Sequence, residues 1–131
     1  MKEIVDVLKK LQKGYDEKIP ENAPALMDEI FSSRQDLLTI GTGTGELCFN
    51  RDEVMGLLRG DWDGGWGDFK IGINGAEITQ DGDAAWFFAR MHILFGISIF
   101  HILVIGLLKA RYKQQPKRYD LHKTVWVDFC I

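Results

Sequence analysis

The hydrophobic period of this chain changes near residue 60. Before it, apolar residues recur at helical spacing. Ile4, Val5, Leu8, Leu11 and Tyr15 fall on one helical face, with Lys2, Lys9, Lys10 and Lys13 largely elsewhere. Gly14 weakens the end of that helix and Pro20 closes the connection. A second helix is predicted from near Pro24, a residue suited to a first turn. Leu26, Met27, Ile30 and Phe31 form its apolar face, and Ser32-Ser33 end it. An apolar strand, Leu37 to Ile40, runs into Gly41-Thr42-Gly43-Thr44-Gly45, and a short apolar segment, Leu47 to Phe49, follows. Asn50 with Glu53 three residues later is an Asn version of the capping box, which opens a third helix. Val54, Leu57 and Leu58 are its apolar face and Gly60 its expected stop.

From residue 61 the period is two. Phe69, Ile71 and Ile73 alternate with Lys70, Gly72 and Asn74, the pattern of a half-buried strand. Asp81-Gly82-Asp83 supplies a hairpin turn. Strands follow from Ala84 to about Phe95, from about Ile97 to Tyr112, and from Tyr119 to Phe129, with Gln114-Gln115-Pro116-Lys117 as the last turn. Helices grouped first and strands grouped last predict an α+β domain, residues 1–131, with helices on one face of a curved antiparallel sheet.

Composition bounds the function. With 131 residues, 46% apolar and 27% charged, the chain has ordinary globular composition and room for one core. A net charge of −3 gives no global pull toward nucleic acid or an anionic membrane. Lys109, Arg111, Lys113, Lys117, Arg118 and Lys123 are concentrated around the last turn, which reads as a solvated hairpin tip or an anion-binding surface. Cys48 and Cys130 sit in apolar runs and form no disulfide framework. The amphipathic N-terminus is no secretory signal, so a cytoplasmic protein is expected. Met91 to Leu108 carries no formal charge with its histidines neutral. It is marginal in length for a membrane helix, is interrupted by His92, Gly96, Ser98, His101 and Gly106, and is rich in strand-forming Ile, Val and Phe. Strands, and no membrane span, are expected there.

The segments "LLTIGTGTGE", "FNRDEVMGLLRGDW" and "ITQDGDAAWFFAR" together resemble the SnoaL-like branch of the NTF2-like superfamily, over roughly residues 1–92. The resemblance implies a cone-shaped, cystatin-like roll that encloses a pocket at its open end. Residues 93–131 carry less polar alternation than that family usually shows. The superfamily includes ketosteroid isomerases, whose reaction needs a carboxylate base and an oxyanion hole of tyrosine and neutral carboxylic acid. The resemblance places Gly41 at the base position and Tyr15 near the tyrosine, and no Asp or Glu lies between Arg90 and Lys113. Isomerase chemistry of that kind is therefore not expected.

Other motifs are weaker. The glycines at 41–45 lack the helix directly behind them that a phosphate loop requires, and no Lys-Ser/Thr pair follows. Asp61 to Gly72 imitates a calcium loop, but Gly72 stands where the bidentate glutamate belongs. No compact ligand spacing suggests a metal, and no cofactor is implied. Tyr15, Trp62, Trp66, Trp86, His101 and Trp126 are the aromatic and polar residues expected in a pocket wall; each could equally be core or surface cover. His92, His122 and Asp128 are candidates for acid–base work if the Trp-bearing faces of their strands look inward; otherwise those faces lie outside. The expected partner is a small apolar or aromatic molecule, bound or transformed. The alternative is a scaffold domain, because Ile97 to Leu108 is apolar on both strand faces and predicts a homodimer through the outer sheet.

Overall fold

The computed structural model describes residues 2–33, 37–41, 46–64, 67–111 and 118–128. Helix α1 (Lys2–Glu17) buries Ile4, Val7, Leu8, Leu11 and Tyr15, the stripe its periodicity predicts with Val7 in place of Val5. A 3-10 turn at Pro20–Asn22 leads into α2 (Ala23–Ile30). Strands β1 (Leu38–Ile40) and β2 (Leu47–Cys48) precede α3 (Arg51–Asp63). The Asn50 side-chain oxygen accepts from the Glu53 amide at 2.9 Å. The Glu53 carboxylate returns to the Asn50 side-chain amide at 2.7 Å, not to a backbone amide as in the usual box. Gly60 does not stop this helix: it continues three residues, and Gly64 is its cap. That extra turn carries Asp61 and Trp62.

Strands β3 (Asp68–Ile71), β4 (Glu77–Asp81), β5 (Ala84–Phe95), β6 (Ser98–Ala110) and β7 (Tyr119–Asp128) complete a sheet of order β2-β1-β7-β6-β5-β3, with β4 also on β5. The α+β class and the helix-then-sheet order are as the patterning predicts. One pairing is not antiparallel: β1 lies parallel to β7, Thr39 opposite Thr124. The uncharged stretch 91–108 forms the ends of β5 and β6 around a turn in which Gly96 adopts φ +62. No helix among the described residues is long and apolar enough to cross a membrane.

The inner face of the sheet meets the helices. It carries Ala85, Phe87, Ala89 and Met91 of β5 and Ile102, Val104, Gly106 and Leu108 of β6, all buried. A register shift at Leu107/Leu108 places a bulge at His122. Both Leu121 and His122 are consequently buried, and Thr124 and Trp126 continue inward from there. Gly106 faces Phe87 so closely that any Cβ would overlap its ring. Gly106→Ala should therefore lower unfolding stability by about 2 kcal/mol in urea, the usual cost of overpacking. A loss below about 0.5 kcal/mol would show that the Phe87 ring has another place to go.

Side-chain hydrogen bonds fasten α1 and α3 over this face. Gln12 of α1 behaves as an extra strand residue, donating to Phe69 O at 2.7 Å and accepting from the Ile71 amide at 2.6 Å. Arg51 of α3 donates to Ser32 O and to Asp28, each at 2.8 Å, and so closes the C-terminal end of α2. Within the basic segment Arg111 holds Asp120 and Arg118 donates to Glu29 O at 2.9 Å, so two of its cations are structural. Lys113, Lys117 and the last turn lie outside the described residues.

Candidate functional site

Three elements bring a polar group into the aromatic core. Tyr15, in the last turn of α1, is 1% exposed and packs against Phe69 at 4.5 Å, Trp126 at 5.7 Å and Trp62 at 6.0 Å between ring centroids. A buried phenol needs a partner. Here its hydroxyl donates to Asp61 Oδ2 at 2.9 Å. Asp61 stands on the buried stripe of α3, four residues after Leu57 and three after Leu58, and is itself half-buried.

That carboxylate is poorly placed for stability. Burial pushes its pKa up to about 6; the Tyr15 hydrogen bond works the other way, and the Glu46 carboxylate adds to the rise. Its position in the last turn of α3 also sets it at the negative end of the helix dipole. Burial first, and then Asp61, hold the Tyr15 phenol protonated well above its ordinary range. The pair is thus a neutral tyrosine donating to an acid that gains or loses its proton near neutral pH.

Glu46 reaches the same region from the other side. It is half-buried, just before β2, and its backbone carbonyl accepts from the Gly41 amide at 2.7 Å. Its carboxylate lies across Gly41, where any Cβ would collide with it. The absence of a side chain at Gly41 therefore admits an acid from the neighbouring strand. Behind it, Thr39 pairs with Cys48 on one side and Thr124 on the other. Cys48 is buried, donates to Glu53 O at 3.5 Å, and has its thiol pKa raised by burial and then by Glu53, Glu46 and Asp61. It is a poor nucleophile. Four buried polar atoms here have no hydrogen-bond partner among the described residues: the Thr39 and Thr124 hydroxyls and the indole N–H groups of Trp62 and Trp126. Buried polar atoms seldom go unpaired.

The expected pocket residues divide. Tyr15, Trp62 and Trp126 come together. Trp62 also floors an open groove between α1 and α2, its ring lying against Gly14, where a Cβ would approach within 2.8 Å. Of the two facings left open for β5, the outward one holds for its Trp-bearing face: Trp86, His92 and His101 lie on the outer face of the sheet, and Ala85, Phe87, Ala89 and Met91 are inward. His92 and His101 are cross-strand partners on that outer face. His122 is inward on β7. Trp66 and the Asp128 side chain lie outside the described residues. Asp61 and Glu46 are absent from the expectations. Their signals are an acid on an apolar helical stripe and an acid two residues before the inward Cys48.

A roll of helices over a curved sheet, with a polar group held among aromatic rings at one end, defines the NTF2-like architecture. The SnoaL-like domain family matches residues 17–103, and the chain belongs to that family, a branch of the NTF2-like superfamily. An NTF2-like protein of unknown function from Shewanella oneidensis MR-1 is similar over 95% of this chain and 96% of its own, with 16% identity and a TM-score of 0.72. An uncharacterised protein with a cystatin-like fold from Caulobacter vibrioides is similar over 98% and 89%, with 11% identity and a TM-score of 0.73. A candidate calcium/calmodulin-dependent protein kinase II association domain from Xanthomonas campestris is similar over 95% and 86%, with 12% identity and a TM-score of 0.66. At these identities the likeness is one of fold. Among curated proteins, none matches.

Proposed function

We propose that the protein binds a small, largely apolar or aromatic molecule between α1, α3 and the inner face of the sheet, with the polar end of that molecule at Tyr15 and Asp61. The observation that carries this reading is the half-buried Asp61 carboxylate. It is disfavoured by burial, by Glu46 and by the helix end, and is supported by one phenol. A fold that only needed stability would gain by replacing it, so its presence argues for use. The unpartnered hydroxyls of Thr39 and Thr124 and the indole N–H groups supply further hydrogen-bonding capacity for a ligand.

Displacement of a neutral apolar dye such as Nile red tests the reading. The dye should bind saturably, about one per chain, and small aromatic molecules should displace it. Asp61→Leu, which blocks the polar end, should weaken displacement by polar aromatics at least tenfold. Dye that partitions without saturation would end the reading.

A second function, assembly, is favoured by the outer face. Trp86, Phe88, Leu103, Ile105, Leu107, Val125 and Val127 form an apolar field across β5, β6 and β7. Arg90, His92 and His101 lie toward one end and Lys123 toward the other, so the field has an apolar centre and a polar rim. A two-fold dimer through this face is the closed solution. The relative from Xanthomonas described above as an association domain supports the use of this fold for assembly. Pocket and dimer are compatible, because they use opposite faces of one sheet.

A further inference from the structure

We propose that the molecule held at Tyr15, Asp61 and Glu46 is an organic cation: a protonated amine attached to an apolar or aromatic body. This deepens the small-molecule reading and rests on it. Two carboxylates converge on one end of the cone, Asp61 from α3 and Glu46 from the approach to β2, close enough for Glu46 to raise the pKa of Asp61 and contribute to the shifts of Tyr15 and Cys48. No lysine, arginine or histidine among the described residues pairs with either of them; the ion pairs of the described residues lie on α1, α2, the first turn of α3, β3 and the β6–β7 end. Two half-buried acids without a counter-charge form a site of negative potential, which repels an anion and leaves a neutral ligand's gain unrealised.

The surroundings favour a cation over a water-filled acidic cleft. Tyr15, Phe69, Trp62 and Trp126 form a contiguous aromatic cluster, and the Tyr15 hydroxyl touches Asp61. Aromatic rings next to carboxylates make the composition that recognises ammonium groups, with the ring faces attracting charge and the carboxylates accepting N–H. An independent sign of a ligand lies on the floor of the same end. Thr39 and Thr124, 3% and 2% exposed, sit opposite one another on the inner face, two residues from Gly41 and from Trp126, and neither hydroxyl has a partner among the described residues. A hydroxyl can accept from an ammonium N–H, and it cannot be satisfied by the carboxylates while it lacks contact with them. Gly41 completes the arrangement, because any larger residue would evict the Glu46 carboxylate.

Three probes of nearly one shape test this: phenethylamine, phenethyl alcohol and phenylacetate, each displacing Nile red at pH 8 and low salt. The amine should displace the dye at a concentration at least tenfold below the alcohol, and phenylacetate should be weakest. In Asp61→Asn and in Glu46→Gln the amine's advantage over the alcohol should shrink toward one. If either variant fails to fold, the ranking in the wild-type chain decides alone. Equal or better displacement by the alcohol or by phenylacetate overturns the cation and leaves the pocket reading standing. Dye that binds but is displaced by none of the three also overturns the cation. Dye that never binds saturably overturns the cation and the pocket together.

Discussion

Asparagine in place of Asp61 is expected to make the folded chain more stable at pH 8. The introduced amide oxygen can still accept from Tyr15, while the charge is gone. Asp61 titrates at about 6 in the folded chain and at 3.8 as an ordinary aspartate. Between these values the folded state holds the proton that the unfolded state releases, so stability falls as pH rises through the window. Below about pH 4 both states are protonated and the penalty vanishes; above about pH 7 it is complete. A rise of about two units corresponds to at most about 3 kcal/mol, and partial solvent contact reduces it to about 2 kcal/mol. Urea unfolding at pH 4 and pH 8 should show the Asp61→Asn advantage opening from near zero to about that size, with a melting temperature roughly 6 °C higher at pH 8. A variant less stable than wild type at pH 8 would show that the carboxylate is a structural group.

A charge placed at the centre of the outer sheet face should change the mass of the particle in solution. Ile105 lies between Phe88 and Val125 in register, with Leu103 and Leu107 on either side. Trp86 is 39% exposed, Phe88 44% and Val127 43%, and the whole field amounts to roughly 400–500 Å², near the upper end of what a monomer leaves in water. Covering it on two chains offers a gross gain of about 20–25 kcal/mol, most of which association consumes. Wild type should therefore sediment at twice 15.0 kDa at micromolar concentration, and Ile105→Asp at 15.0 kDa or as aggregate. Wild type that remains at 15.0 kDa when concentrated would remove assembly from the functions considered.

The elements are legible where the code is local. The Asn50–Glu53 pair marks the start of α3, Gly82 and Gly96 mark the two hairpin turns that need positive φ, and the α1 stripe needs only periodicity. The extension of α3 past Gly60 is not legible, because a helix that docks through Trp62 outweighs the local cost of one glycine. The faces of β5 mislead for a related reason. Trp86 and Phe88 look like core, whereas the inward positions alternate Ala with Phe and Met to leave room for helices, as Ala85 and Ala89 show. The bulge at His122, which reverses the inward parity of β7, has no sequence signal of its own. The carboxylate site is the least visible part. Asp61 is a turn residue by composition and a core residue only once Tyr15 reaches it from 46 positions away. Glu46 acquires meaning only when β1 and β2 pair and bring it over Gly41.

The parallel pairing of β1 with β7 also sets the order in which the molecule can be assembled. Most of the sheet is built from neighbours in sequence: β4, β5, β6 and β7 zip as successive hairpins, each closing a short loop. The β1–β2 ribbon is different, because its anchor on the main sheet, Leu38 to Ile40 against Lys123 to Val125, joins early chain to late chain. During synthesis that ribbon has no place to attach until residues near 125 have emerged, so Thr39 meets Thr124 late. The hairpin framework is thus expected to form first, and the pairing of Thr39 with Thr124 closes the floor of the site as the final docking step.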